Sequence, residues 1–229
     1  MFQPPIKIDV EKIYKIDEVG NVDVERSWIF TNQTSQDVDM SELSFYVKEI
    51  VGNLVDATAK DSSGILDLAQ ERDGSAIKLI MNPRINTLNS HAKYTMTLNY
   101  NLANNVNQLG HVWLFSSTIS GFDTSSFANL ILDKVDFKLQ VILPKLKKNL
   151  LQNIFYESAP ICREVAKGET SFQLVDNKVL EWKKSLFSSD NCRVELIYGI
   201  RTNVRLTSFL SATATAISVG LIKLVFDLL

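Results

Sequence analysis

The stretch KYTMTLNYNL, residues 93–102, decides the fold class. Large apolar side chains occupy every second position, and polar side chains fill the positions between them. This period of two matches a β-strand, because successive side chains of a strand point to opposite faces of a sheet. The stretch therefore predicts a strand with one buried face and one face in solvent.

The same alternation recurs on both sides of this strand, over most of the first 200 residues. It is clear in residues 6–10, 135–143 and 194–200, and clusters of Gly, Asp, Asn and Ser separate the alternating segments. Such clusters favour tight turns because they supply positive φ angles or cap their own backbone. The sequence therefore predicts a mainly β protein.

A weak internal sequence similarity indicates how the strands are grouped. LNYNL at 98–102 and LIYGI at 196–200 both read Leu-x-Tyr-x-aliphatic. We therefore expect two β-sandwich-like (immunoglobulin-like) units, 1–103 and 128–203, joined by a connection at 104–127 and followed by a hydrophobic helix at 204–229. The alternative is one large sandwich in which the middle segment is a crossover.

The C-terminal stretch LTSFLSATATAISVGLIKLVFDLL, residues 206–229, changes to a helical period. One side of the predicted helix carries a row of leucine and isoleucine residues. A row of small residues lies beside it, and small residues let helices approach closely in lipid. The residues predicted to anchor or oligomerise this helix are Leu206, Ser208, Leu210, Ala212, Ala216, Ile217, Gly220, Leu221 and Leu224.

Length and flanking charge favour a membrane position for this helix. Residues 206–226 make about 31 Å of helix, close to the hydrocarbon thickness of about 30 Å. Basic residues that could contact lipid headgroups are Arg201, Arg205, Lys145, Lys147 and Lys148. We expect a single-pass tail anchor with the N-terminal body in the cytoplasm. The alternatives are a soluble cytoplasmic protein whose helix docks on the body or on a second subunit, and a helix that lies on the membrane surface.

Motifs for catalysis, metals and cofactors are missing from the sequence. The two histidines, His91 and His111, have no second ligand at a helical metal spacing, and neither a phosphate loop nor a nucleophile elbow occurs. We therefore expect no catalytic residue, metal or cofactor.

The chain has a net charge of −2. This charge disfavours nucleic acid as a general partner, because phosphate binding requires a concentrated basic surface.

Cys162 and Cys192 are widely separated in sequence. Buried free thiols are the favoured interpretation, and a single disulfide, which needs an oxidising compartment, is the alternative. The triplet Asn32-Gln33-Thr34 fits a glycosylation acceptor; we expect this match to be chance, because residues 1–17 lack the basic and apolar segments of a secretory signal.

Together these features predict a non-enzymatic, membrane-tethered recognition or assembly module, an adaptor or a membrane effector, that binds a protein partner or itself. The alternatives are a soluble interaction domain whose C-terminal helix completes its own core or a homodimer, and a hydrolase whose site is assembled from scattered residues.

Overall fold

A computed structural model describes residues 6–41, 45–50, 53–73, 76–120, 134–146, 152–162, 173–176, 178–187 and 191–202. Strands and turns make up these ranges, so the mainly β class predicted from the sequence is confirmed. The C-terminal helix predicted at 204–229 lies outside the described residues.

Seventeen strands occur in the described part of the chain. They are β1 Ile6–Ile16, β2 Val22–Asn32, β3 Val38–Asp39, β4 Phe45–Ile50, β5 Asn53–Asp61, β6 Gly64–Leu66, β7 Leu68–Asp73, β8 Ala76–Met81, β9 Thr87–Leu88, β10 Lys93–Ala103, β11 Val106–Leu109, β12 Val112–Ser120, β13 Lys134–Ile142, β14 Gln152–Cys162, β15 Gln173–Asp176, β16 Val179–Phe187 and β17 Asn191–Thr202. β11 and β12 lie within 104–127, the range that the sequence assigns to a connection. Apolar residues at 112–115 account for β12, because they pair with the alternating residues of β17.

The largest sheet has eight strands in the order β15-β16-β13-β1-β2-β10-β5-β6. β1 pairs antiparallel with β2 on one side and parallel with β13 on the other. Strands from both predicted units, 1–103 and 128–203, therefore share one hydrogen-bonded sheet. Three smaller sheets accompany it, with the orders β11-β12-β17-β14, β4-β8-β7 and β3-β9.

The hairpin between β1 and β2 shows how the sequence fixes the local geometry. An Asp17 carboxylate oxygen accepts hydrogen bonds from the backbone N–H groups of Val19 and Asn21, at 2.9 and 2.8 Å. Gly20 has a φ of 95°, which a side chain would strain. This turn sets the register, in which Ile16 lies opposite Val22 and Ile6 lies opposite Asn32.

One face of the eight-stranded sheet forms the core. In β1 and β2 every even-numbered side chain is buried, as the alternation predicts. The smaller sheets cover this face. Tyr14 of β1 meets Phe115 of β12 edge to face at 4.9 Å, and the buried residues of all the sheets form one continuous cluster. The largest fully buried side chains include Trp28, Tyr14, Tyr198, Phe30, Phe115 and Met96.

Two cations interrupt this apolar face. Lys12 is fully buried, Arg26 is 3% exposed, and the two residues lie directly opposite each other in the sheet. The Lys12 ammonium lies 4.8 Å from the centre of the Tyr14 ring. The Arg26 guanidinium lies 4.8 Å from the Trp28 ring and 6.0 Å from the Phe137 ring. Aromatic faces are negative, so they attract a cation that has left water.

Asn32, the last residue of β2, ties two loops to the sheet. Its side-chain amide is buried and donates to the backbone carbonyls of Gln36, Leu88 and Asn89, at 2.7, 3.0 and 3.1 Å. Its oxygen accepts from the N–H and the hydroxyl of Thr34, both at 2.9 Å. The nitrogen that a glycan would modify is therefore engaged within the fold.

We predict that Asn32→Ala lowers the free energy of unfolding by about 2 kcal/mol, since buried carbonyls lose their donor. Urea denaturation followed by tryptophan fluorescence measures this change. Gln33→Ala, at the exposed neighbouring position, is the matched control and should be neutral. Equal midpoints for the two variants would show that the Asn32 side chain does not stabilise these loops.

Candidate functional site

The outward side of the eight-stranded sheet carries an extended polar surface. We call it the outer face and define it by the side chains that alternate with the core residues of five central strands. These are Lys7, Asp9, Glu11, Ile13 and Lys15 of β1; Asp23, Glu25, Ser27, Ile29 and Thr31 of β2; Lys93, Thr95, Thr97, Asn99 and Asn101 of β10; Asp136, Lys138, Gln140 and Ile142 of β13; and Glu181, Lys183 and Ser185 of β16.

Strand register arranges these side chains in rows across the sheet. One row runs Lys183, Lys138, Glu11, Ser27 and Thr97, and ends at Lys60 of β5. Directly opposite residues on neighbouring strands interact at close range. Lys138 contacts the Glu11 carboxylate at 3.2 Å, and the hydroxyls of Ser27 and Thr97 lie 3.0 Å apart. The row is therefore held by side-chain contacts as well as by the backbone ladder.

A second group of charges surrounds Lys7. Its ammonium lies 2.8 Å from Asp9 and 3.0 Å from Asp136. Hydrogen bonds to these two carboxylates raise the pKa of Lys7. The Ser185 hydroxyl and the Lys7 ammonium lower the pKa of Asp136. Three strands, β1, β13 and β16, thus share one polar cluster.

Glu181 on β16 forms a third group. Its carboxylate accepts from the Gln140 side-chain amide at 2.8 Å and lies 2.7 Å from the Lys183 ammonium. The hydrogen bond from Lys183 is the main cause that lowers the pKa of Glu181. Glu181 and Lys183 lie on the same strand, two positions apart, so they share the outer face.

Two depressions open on the outer face. The larger, of about 610 Å³, crosses β2, β1, β13 and β16, and its charged residues are Asp9, Glu11, Asp136, Lys138, Lys183 and Lys184. Its three acidic and three basic side chains balance in charge.

The smaller depression, of about 280 Å³, crosses β1, β2, β10 and β5. It carries three carboxylates, those of Asp23, Glu25 and Asp56, and one ammonium group, that of Lys15. The face is therefore neutral at one end and acidic at the other.

The outer face carries charged groups of both signs rather than a cluster of metal ligands. Within the described ranges no three His, Cys, Asp or Glu side chains converge to hold a metal ion. His91 and His111 are exposed, and both lie in turns, before β10 and between β11 and β12. On the outer face, Lys7, Lys15, Lys138 and Lys183 each contact a carboxylate. Charges of both signs therefore lie at defined positions across the sheet.

The sequence-predicted membrane residues fall mostly beyond the described part. The helix residues at 206–224, with Arg205, Lys147 and Lys148, lie outside it. Lys145 is exposed shortly after the end of β13, and Arg201 belongs to β17. In the ranges that the structure describes, no helix is long and apolar enough to span a membrane.

Sequence reasoning did not single out the outer face. Lys183 and Lys184 both lie inside β16. The available signal was the polar half of each alternating strand, which predicts a solvent-facing surface but not which strands are neighbours. That order depends on pairing between distant segments.

Comparisons with known proteins give no family. No protein-family model and no curated protein matches the chain. Among solved structures, a putative nutrient binding protein from Legionella pneumophila matches with a TM-score of 0.48 and 10% identity, over 85% of this chain and 67% of its own. Native yeast LTA4 hydrolase matches with a TM-score of 0.39 and 7% identity, over 83% and 29%.

An M1 zinc metallopeptidase from Deinococcus radiodurans matches with a TM-score of 0.38 and 10% identity, over 86% of this chain and 43% of its own. This chain thus spans less than half the length of either hydrolase. Likeness at this level assigns neither a family nor an activity.

We predict that acid weakens the protein partly through Asp136. Its pKa is lowered in the folded state, so its stabilising contribution is present above the unfolded value of about 3.9 and is lost as the pH falls through the folded value. Asp136→Asn should therefore reduce the drop in urea midpoint between pH 7 and pH 3. Lys7→Met, which removes one partner of Asp136, should reduce it in the same direction. A drop unchanged in both variants would contradict this role.

Proposed function

We propose that this chain is a non-enzymatic recognition module tethered to a membrane, with a β-sandwich-like (immunoglobulin-like) body in which the two predicted units share one sheet, and with a C-terminal helix that anchors it. The outer face is the surface that binds a protein partner. The observation that carries the proposal is the ordered charge mosaic across β16, β13, β1, β2 and β10, with its depression of about 610 Å³.

The size of the outer face supports a protein partner. Five strands at a spacing of about 4.8 Å, each roughly 30 Å long, give a surface on the order of 700 Å². A standard protein–protein interface takes about 800 Å² from each partner.

Rigidity supports the same assignment. The side chains of the outer face are already held by the contacts of Lys138 with Glu11 and of Gln140 with Glu181, at 3.2 and 2.8 Å. A partner therefore orders few additional rotamers on binding, which lowers the entropic cost. Charges of both signs in fixed positions favour a complementary surface and repel a mismatched one.

The membrane half of the proposal rests on the sequence of 204–229. Its Ser/Thr polar face and its small-residue ladder suit a helix that packs against others in lipid. The cytoplasmic location proposed for the body follows from the basic residues that precede the helix, Arg201 and Arg205. Packing of several such helices would assemble several bodies at the membrane and present several outer faces together.

One observation favours a second candidate, a soluble interaction domain whose C-terminal helix docks on the body. The edge strand β14 exposes Ile154 and Tyr156, which are 42% and 37% accessible and lie opposite Ile200 and Tyr198 of β17. β17 ends at Thr202, directly before the predicted helix. An apolar helix could therefore reach this patch from the end of the strand.

A charge-swap variant tests the outer face. Glu11→Lys with Lys138→Glu keeps the intrachain ion pair but reverses both charges at the centre of the surface. We predict wild-type thermal stability and at least a tenfold loss of partner recovery, measured by in-cell cross-linking and quantitative mass spectrometry of the co-purified proteins.

The matched control for this variant is Glu71→Lys with Lys78→Glu. It reverses an ion pair of 3.5 Å in the β4-β8-β7 sheet, away from the outer face. Partner recovery should stay at the wild-type level. Equal losses in both swaps, or no loss in either, would rule out the outer face as the binding surface.

Fractionation tests the membrane tether. The full chain should stay in the membrane pellet after alkaline carbonate extraction, because carbonate releases peripheral proteins but not a spanning helix. Truncation after Arg205 should move the body to the supernatant without lowering its melting temperature. A soluble full chain, together with a truncated body that melts early, would instead establish the docked helix.

A further inference from the structure

The fold places the two cysteines of the chain side by side. Cys162 ends β14, and Cys192 is the second residue of β17. The antiparallel register between these strands runs without a shift from Gln152 opposite Thr202 to Cys162 opposite Cys192. Residues 163–191 separate the two cysteines in sequence, and only strand pairing brings them together.

The hydrogen-bond pattern of β17 defines the type of pair. The Ile200 N–H donates to the His111 carbonyl at 3.0 Å, and Val112 lies opposite Gly199. Even-numbered residues of β17 therefore hydrogen-bond towards β12. Successive residues of a strand direct their backbone groups to opposite sides, so the odd-numbered residues bond towards β14.

Cys192 has an even number, so its position opposite Cys162 is a non-hydrogen-bonded pair. Cα atoms at such a pair lie about 4.5 Å apart, against about 5.5 Å at a hydrogen-bonded pair. Disulfides join residues whose Cα atoms are about 4.4–6.8 Å apart. The backbone can thus accommodate the bond without moving the strands.

We propose that Cys162 and Cys192 form an intrachain disulfide between β14 and β17 under oxidising conditions, and that both remain thiols in a reducing cytoplasm. The thiolate of one cysteine attacks a small-molecule disulfide such as oxidised glutathione, forming a mixed disulfide and releasing one thiol. The second cysteine thiolate then attacks the protein sulfur of that mixed disulfide and releases the second small thiol. Two protein thiols are oxidised to one S–S bond, and one small disulfide is reduced to two thiols.

The bond joins two strands of one sheet and closes a segment that contributes a strand to the other sheet. β14 and β17 belong to the four-stranded sheet, whereas β16, which lies between them in sequence, pairs with β13 in the eight-stranded sheet. β14 is an edge strand, with β17 as its neighbour in the sheet. The disulfide therefore secures an edge and limits the freedom of the intervening chain in the unfolded state.

Full-length protein in mild detergent tests the proposal. After equilibration with oxidised glutathione and alkylation without a reductant, the chain should carry no alkyl group and weigh two hydrogens less than the reduced chain. Peptide mapping should recover a Cys162–Cys192 linked pair. Two alkylated thiols, two glutathione adducts on one chain, or dimers linked between chains would each overturn it.

Variants and melting curves complete the test. Cys162→Ser and Cys192→Ser should each take up one glutathione and no internal bond. The oxidised wild type should melt roughly 5–15 °C above the reduced wild type. The double serine variant should be insensitive to redox conditions. Equal melting of the two wild-type states would overturn the proposal, and this comparison needs no variant to fold.

Discussion

The parallel pairing of β1 with β13 is the constraint on which the rest of the structure depends. β1 lies at the centre of the eight-stranded sheet, with its hairpin partner β2 on one side and β13 on the other. The β1–β13 contact joins the N-terminal strands to those that begin at Lys134. Without it, β13, β15 and β16 would have no place in the sheet, and the outer face would end at β1.

This pairing also explains why the outer face combines charges from distant parts of the chain. Lys138 comes from β13 and Glu11 from β1, yet register sets them opposite each other. Lys7 reaches Asp136 in the same way. A surface assembled by long-range pairing exists only in the folded state, so partner binding at this surface would require the complete sheet.

The sequence predicts the strands far better than their order. Alternation identifies β1, β2, β10 and β13 because burial of one face imposes a period of two. Alternation does not specify partners, so it could not choose between two units and one large sandwich, and the strands β11 and β12 at 106–120 were not foreseen. The candidate site was missed for the same reason. Its residues are recognisable as solvent-facing, but the neighbours that make them a surface are set by tertiary contacts.

Lys12 and Arg26 show where a pattern of residue types gives the wrong expectation. A lysine or arginine in an alternating strand would normally occupy the solvent side, but both occupy buried positions in register with the core residues Leu139 and Leu98. Their long stems pack as apolar chains, and nearby aromatic rings stabilise the charged ends. The aromatic residues beside them, Tyr14 and Trp28, therefore do more than fill the core. They let two cations lie at the centre of the sheet, while the opposite face carries its own charges of both signs.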